Sequence, residues 1–154
     1  MARTESTTIA MPHRLTFESP DTLYIQLIGP LTVAHAEALI TKIHELGRQH
    51  GPLYWIIDVA QFSLSGERVR DVFLAGGRER YPIRAGIMCG APFAVRVAMN
   101  MALTAGTRIT PKSFAFPFHF TSTADEARDL IDAQRRVTLP PPEPNDLQMA
   151  TAEG

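Results

Sequence analysis

The chain is 154 residues long, 45% hydrophobic and 20% charged, with 15 Lys plus Arg against 16 Asp plus Glu for a formal net charge of −1. That composition is close to the soluble globular average for one domain and argues against a largely disordered chain or a membrane protein. The near-neutral balance removes any whole-molecule attraction to nucleic acid or anionic lipid, although bases outnumber acids between Gly66 and Lys112.

The first 14 residues are Thr-rich and polar, without the apolar core of a secretory signal, and are expected to be disordered. Leu15–Phe17 and Leu23–Ile28 are expected strands joined by the turn Glu18-Ser-Pro-Asp-Thr22, an antiparallel hairpin. From Val33 to Arg48, apolar residues at helical spacing predict a helix with Thr32 as N-cap and Gly51-Pro52 as its stop. Leu53–Val59 reads LYWIIDV, the continuous apolar run of a strand covered on both faces. After a loop at 60–64, a second helix is expected over Ser65–Glu79. Arg84–Cys89 predicts a further strand, and Pro92 opens a third helix. Phe114–Phe120 alternates Phe with other residues, a strand pattern in which Pro117 points to a sheet edge. The last helix opens on the capping box Thr123-Ala-Asp-Glu126 and carries an Asp132/Arg136 pair. The tail from 138 to 154 is Pro-rich and expected to be extended.

The expected domain is therefore 15–137, an α/β unit with a mixed β-sheet of about five strands and four helices in the order β-β-α-β-α-β-α-β-α. The single cysteine, Cys89, permits no intramolecular disulfide and no thiolate zinc site. The longest apolar stretch, 87–103, is interrupted by Pro92, Arg96 and Asn100, so no membrane insertion is expected and the protein is read as cytoplasmic.

Walker A, GxGxxG, GxSxG, CxxC and HExxH strings are all absent from the sequence, which argues against an enzyme and against a bound cofactor or metal. Cys89, near a helix start, and His119 are the residues on which an enzyme would have to be built. His35 and His44 read as surface residues. The Phe114, Phe116, Phe118 and Phe120 stripe reads as core, with an apolar ligand pocket as the alternative. Arg96, Asn100 and Thr104 make a polar stripe on the third helix, and Val95 and Met99 beside it leave apolar surface for a partner or a homodimer.

Element order and two local strings resemble the STAS domain, shared by anti-sigma-factor antagonists and the cytosolic ends of sulphate transporters, over about Leu23–Arg136. Leu27-Ile-Gly29-Pro-Leu31-Thr32 is similar to the family's Leu-x-Gly-x-Leu-Asp, with Thr in place of Asp. Asp58 to Ser65-Gly66 has the family spacing from the end of the central strand to the next helix. The resemblance implies a non-catalytic module that binds a protein partner, such as a kinase or an anti-sigma-like regulator. The implied contact residues are Phe62, Ser63, Leu64, Ser65, Gly66, Arg68 and Arg70. An ungapped alignment puts Leu64 where the family has its phosphorylated Ser or Thr, and a local slip leaves Ser65 or Ser63 as acceptor. The alternative function is carriage of a small molecule or lipid between sheet and helices.

Overall fold

The computed structural model describes residues 4–10, 12–64, 67–109 and 111–137. Six strands form one sheet in strictly sequential order: β1 (Thr4–Ala10), β2 (His13–Glu18), β3 (Thr22–Gly29), β4 (Leu53–Phe62), β5 (Ile83–Cys89) and β6 (Phe118–Thr121). β1, β2 and β3 pair antiparallel, and β3 to β6 run parallel. The helices are α1 (Val33–His50), α2 (Glu67–Gly76), α3 (Phe93–Ile109), the single turn α4 (Pro111–Phe114) and α5 (Ala124–Val137).

β4 explains the layering. Its Leu53, Trp55 and Val59 point into a core shared with α1, α2 and α3, through Leu39, Ile43, Val69 and Val95. Tyr54 and Ile56 point the other way, into a smaller core with Ala85, Ile87, Cys89 and the α5 residues Ala127 and Ile131. Alternation thus buries both faces of one strand, as the LYWIIDV run requires. Thr32 caps α1, its Oγ1 accepting from His35 N at 3.1 Å. Thr123 and Glu126 close the expected capping box on α5: Thr123 Oγ1 accepts from Glu126 N at 3.2 Å, and the Glu126 carboxylate accepts from Ser122 N and Thr123 N. α5 is tied to the β2–β3 turn by Arg128, which donates to both carboxylate oxygens of Glu18 at 3.1 and 2.8 Å, and by Arg135, which pairs with Asp21. Arg135 also takes Asp132, so the expected Asp132/Arg136 pair is replaced by an i,i+3 pair directed at the turn.

Several boundaries differ from expectation. The segment 1–14, expected to be disordered, supplies β1 and the start of β2, because backbone pairing with β2 organises a strand of no apolar periodicity. The sheet accordingly has six strands rather than about five. β4 runs on through the expected loop to Phe62, where the pairing with β3 shifts register between Gln26 and Ile28. The Phe stripe is not one strand: Phe114 closes α4, and only Phe118–Thr121 pairs, at the sheet edge as Pro117 implies. The expected tail, 138–154, lies outside the described residues. Among the described residues no helix is long and apolar enough to cross a membrane.

Candidate functional site

The C-terminal ends of the parallel strands β3, β4, β5 and β6 share one edge, where open α/β sheets usually receive ligands. Two features occupy this region and the layer beneath it.

One is an open polar cleft of about 620 Å³ at the ends of β5 and β6, lined by Gly90, Arg96, Phe120, Ser122, Glu126 and Asp129. Among the described residues its one cation is Arg96, whose guanidinium carbon lies 5.8 Å from the Phe120 ring centroid. Glu126 and Asp129 oppose it, and the Glu126 carboxylate is already engaged in capping α5, so the cleft has no net attraction for an anion.

The other is an apolar cavity of about 370 Å³ between the sheet and helices α1, α2 and α3. Ile25 and Leu27 of β3, Trp55, Ile57 and Val59 of β4, and Met88 of β5 form its floor, and Val95, Ala98, Met99 and Ala102 of α3 its roof. Phe114, Phe116 and Phe118 close one end, so the Phe stripe borders this space. The two lining side chains with polar atoms deep in the core are committed elsewhere. Trp55 Nε1 donates to Pro82 O at 3.2 Å, and Tyr81 Oη donates to Phe73 O at 2.6 Å.

The structure brings part of the sequence-predicted contact set to the opening of this cavity. Phe62, Leu64 and Arg70 all line it, together with Met101 from α3. Leu64 is 53% and Met101 63% exposed, and Arg70 is exposed. Ser63 and Arg68 are exposed but do not line the cavity; the Ser63 amide donates to Gly29 O at 3.0 Å. Ser65 and Gly66 lie outside the described residues. Along α3, Phe93 (81% exposed), Val97 and Met101 are exposed and follow one another at i, i+4, i+8, with Met101 also at the mouth of the cavity. Arg96, Asn100 and Thr104 are exposed as the polar stripe requires, but Val95, expected beside it as apolar surface, is buried in the core and Met99 is half-buried.

The residues on which chemistry was conceivable are placed otherwise. Cys89 is buried, and burial, reinforced by Asp58, pushes its thiol up to about 11, far from a thiolate nucleophile. His119 is half-buried against α5, where the Gln134 amide meets its Nε2 at 3.1 Å. His44 is a correction: it is buried rather than superficial, stacked on Tyr81, with Nε2 3.0 Å from Gly76 O and Nδ1 3.4 Å from Glu79. His35 is half-buried, at 5.0 Å edge-to-face with His13. Among the described residues no group of three or more His, Cys, Asp or Glu is arranged to hold a metal.

Two polar contacts had no signal in the sequence. Tyr24 Oη donates to Asp58 Oδ2 at 2.5 Å across β3 and β4, and burial followed by this carboxylate raises the phenol well above its ordinary range. His13 Nδ1 accepts from Ile28 N at 3.1 Å, which leaves Nε2 as the protonated nitrogen of the neutral ring. Each pair joins residues distant in sequence and set by strand register, which no local pattern reports.

This mixed sheet, with α1, α2 and α3 on one face and α5 on the other, has a STAS-like, SpoIIAA-like fold. The chain is similar in structure to the anti-sigma factor antagonist SpoIIAA in its unphosphorylated form, with a TM-score of 0.55 and 18% identity over 78% of this chain and 97% of that one. It is likewise similar to an uncharacterized DUF3478-family protein with a SpoIIAA-like fold from Shewanella loihica PV-4, with a TM-score of 0.55 and 14% identity over 84% and 94% of the two chains. No family profile and no curated protein matches the sequence.

Proposed function

We propose that this chain is a non-catalytic STAS-like module that works in the cytoplasm by reversible contact with a protein partner at the end of β4 and the start of α2. The observation that carries this reading is the grouping of Phe62, Leu64 and Arg70 at the open edge, with Leu64 53% exposed and so available as an apolar anchor. Exposed Arg68 and Ser63 give the apolar anchor a polar surround, the usual arrangement of a contact patch. The partner is a kinase or an anti-sigma-like regulator, by analogy with the antagonist whose fold this chain shares. Ser63 or Ser65 is the phosphoacceptor, since a phosphate there would bring about −1.5 to −2 charges to a segment that Arg68 and Arg70 follow in the sequence.

A photo-crosslinking residue placed at Leu64 should trap one protein in cells, while the same residue at Glu37, exposed on α1, should not. Leu64→Asp should abolish capture of that protein, and a phosphosite map of the endogenous chain should place phosphate on Ser63 or Ser65. Equal trapping at both positions, or capture indifferent to Leu64→Asp, would sink the reading. The Phe93, Val97 and Met101 stripe favours a second contact, a homodimer, which sedimentation of wild type against Met101→Glu would decide.

A further inference from the structure

Protein interiors pack to about the density of organic crystals, and voids larger than a water molecule are few. The pocket under α2 and α3, open to solvent on one side, holds about 370 Å³, against the roughly 150 Å³ of a sealed engineered cavity that accommodates a benzene molecule. Water is a poor tenant, because an ordered buried water needs about two to four polar partners. Trp55 Nε1 and Tyr81 Oη, the polar atoms nearest the interior, are already bonded to Pro82 O and Phe73 O. The roof is built to yield. Of the 17 residues of α3 only Val95 and Gly106 are buried, although the helix is largely apolar, and unbranched Met99 and Met101 line the space with adaptable side chains. Among the described residues one charged side chain lines the cavity, Arg70, which like Leu64 is exposed.

The geometry points to a binding site for a single-chain amphiphile with one anionic head, its alkyl chain in the cavity against Trp55, Met88 and Met99 and its carboxylate at Arg70. Volume sets the tail, since the space exceeds that for a single ring, and the lone guanidinium sets the sign of the head. The site does not depend on the protein-contact reading, and its test requires no partner.

Trp55 is the only tryptophan of the chain and lines the cavity, so its emission reports occupancy directly. Full-length protein titrated with octanoate, decanoate and dodecanoate below their micelle concentrations should show saturable Trp55 changes and retained mass in native mass spectrometry. Each methylene should tighten binding about fourfold until the chain outgrows the space. Arg70→Glu should weaken decanoate at least tenfold and leave decanol unchanged. The pair Ala98→Leu and Ala102→Phe, which fills the cavity from α3 without adding tryptophan, should abolish binding of both probes while the thermal transition is kept. Should that pair fail to fold, Ala98→Leu alone should weaken both probes. Binding that survives the filled cavity, shows no dependence on chain length, or is equal for decanoate and decanol in the wild type would overturn the assignment. So would the absence of any Trp55 response to all three acids.

Discussion

Replacing Ile131 by Ala tests whether α5 is held by packing or by its ion pairs. Ile131 is 1% exposed and sits among Ile56, Ile87 and Ala127 on the smaller face of the sheet. The change removes roughly three methylene equivalents, about 2.4 kcal/mol at about 0.8 each, before any residual void is counted. With the void, the loss should lie at roughly 2.5–4 kcal/mol. At this domain size about 4 °C accompanies each kcal/mol, so the midpoint should fall by roughly 10–15 °C. The Arg128–Glu18 and Arg135–Asp21 pairs are partly exposed, at 39% against 24% and 34% against 22%, and half-exposed pairs contribute about 0.2–1 kcal/mol. Arg128→Met should therefore cost well under Ile131→Ala. Urea unfolding followed by circular dichroism and by Trp55, which lies on the opposite sheet face, measures both variants. An Ile131→Ala loss under about 1 kcal/mol, or a larger loss in Arg128→Met, would refute the assignment of α5 to apolar packing.

Gly86→Ala should destabilise by about 1–3 kcal/mol in the same assay, because a Cβ there would sit 2.7 Å from the Phe118 ring. Phe118→Leu in that background should recover part of the loss. His13 has its pKa lowered, first by burial and then by His35, so the unfolded chain binds the proton more readily than the folded one. The sign follows: stability is fully present above about 6.5 and declines as the pH falls from there toward the lowered folded value. His13→Asn, which keeps an acceptor for Ile28 N–H, should flatten the change in urea midpoint between pH 7.5 and 5.5. An unchanged slope would remove His13 as its source. For Cys89, with the thiol raised to about 11, native labelling at pH 8 should run roughly a hundredfold slower than for an ordinary thiol, and faster labelling would mean that the residue is not enclosed as described.

The elements with strong periodicity were legible in the sequence. α1 with its Thr32 cap, the doubly buried β4 and the capping box of α5 all follow from local patterns, and so does the edge position of Pro117. β1 was not legible, since its residues show no period-two apolar face and their order comes from hydrogen bonding to β2. Alternation over Phe114–Phe120 predicts one strand, whereas Phe114 belongs to the single-turn helix α4. Its ring packs where Gly106 leaves room, since a Cβ there would come within 2.7 Å of it. At the candidate site, the resemblance to STAS domains implies Phe62, Leu64 and Arg70, whereas the cavity they share with Ala98, Met99 and Met101 has no local signal, because it depends on how α3 lies over the sheet. His44 was misplaced for a similar reason: its burial is created by Tyr81 and Gly76, more than thirty positions along the chain.

Because sheet neighbours are everywhere neighbours in sequence, each strand emerging from a ribosome finds its template already made, and pairing can advance from the N-terminus without waiting for distant partners. The contact between Arg128 and Glu18 breaks that rule, spanning 110 positions. That contact can form only after nearly all of the domain has been synthesised, and with it α5 fastens the two ends of the fold together.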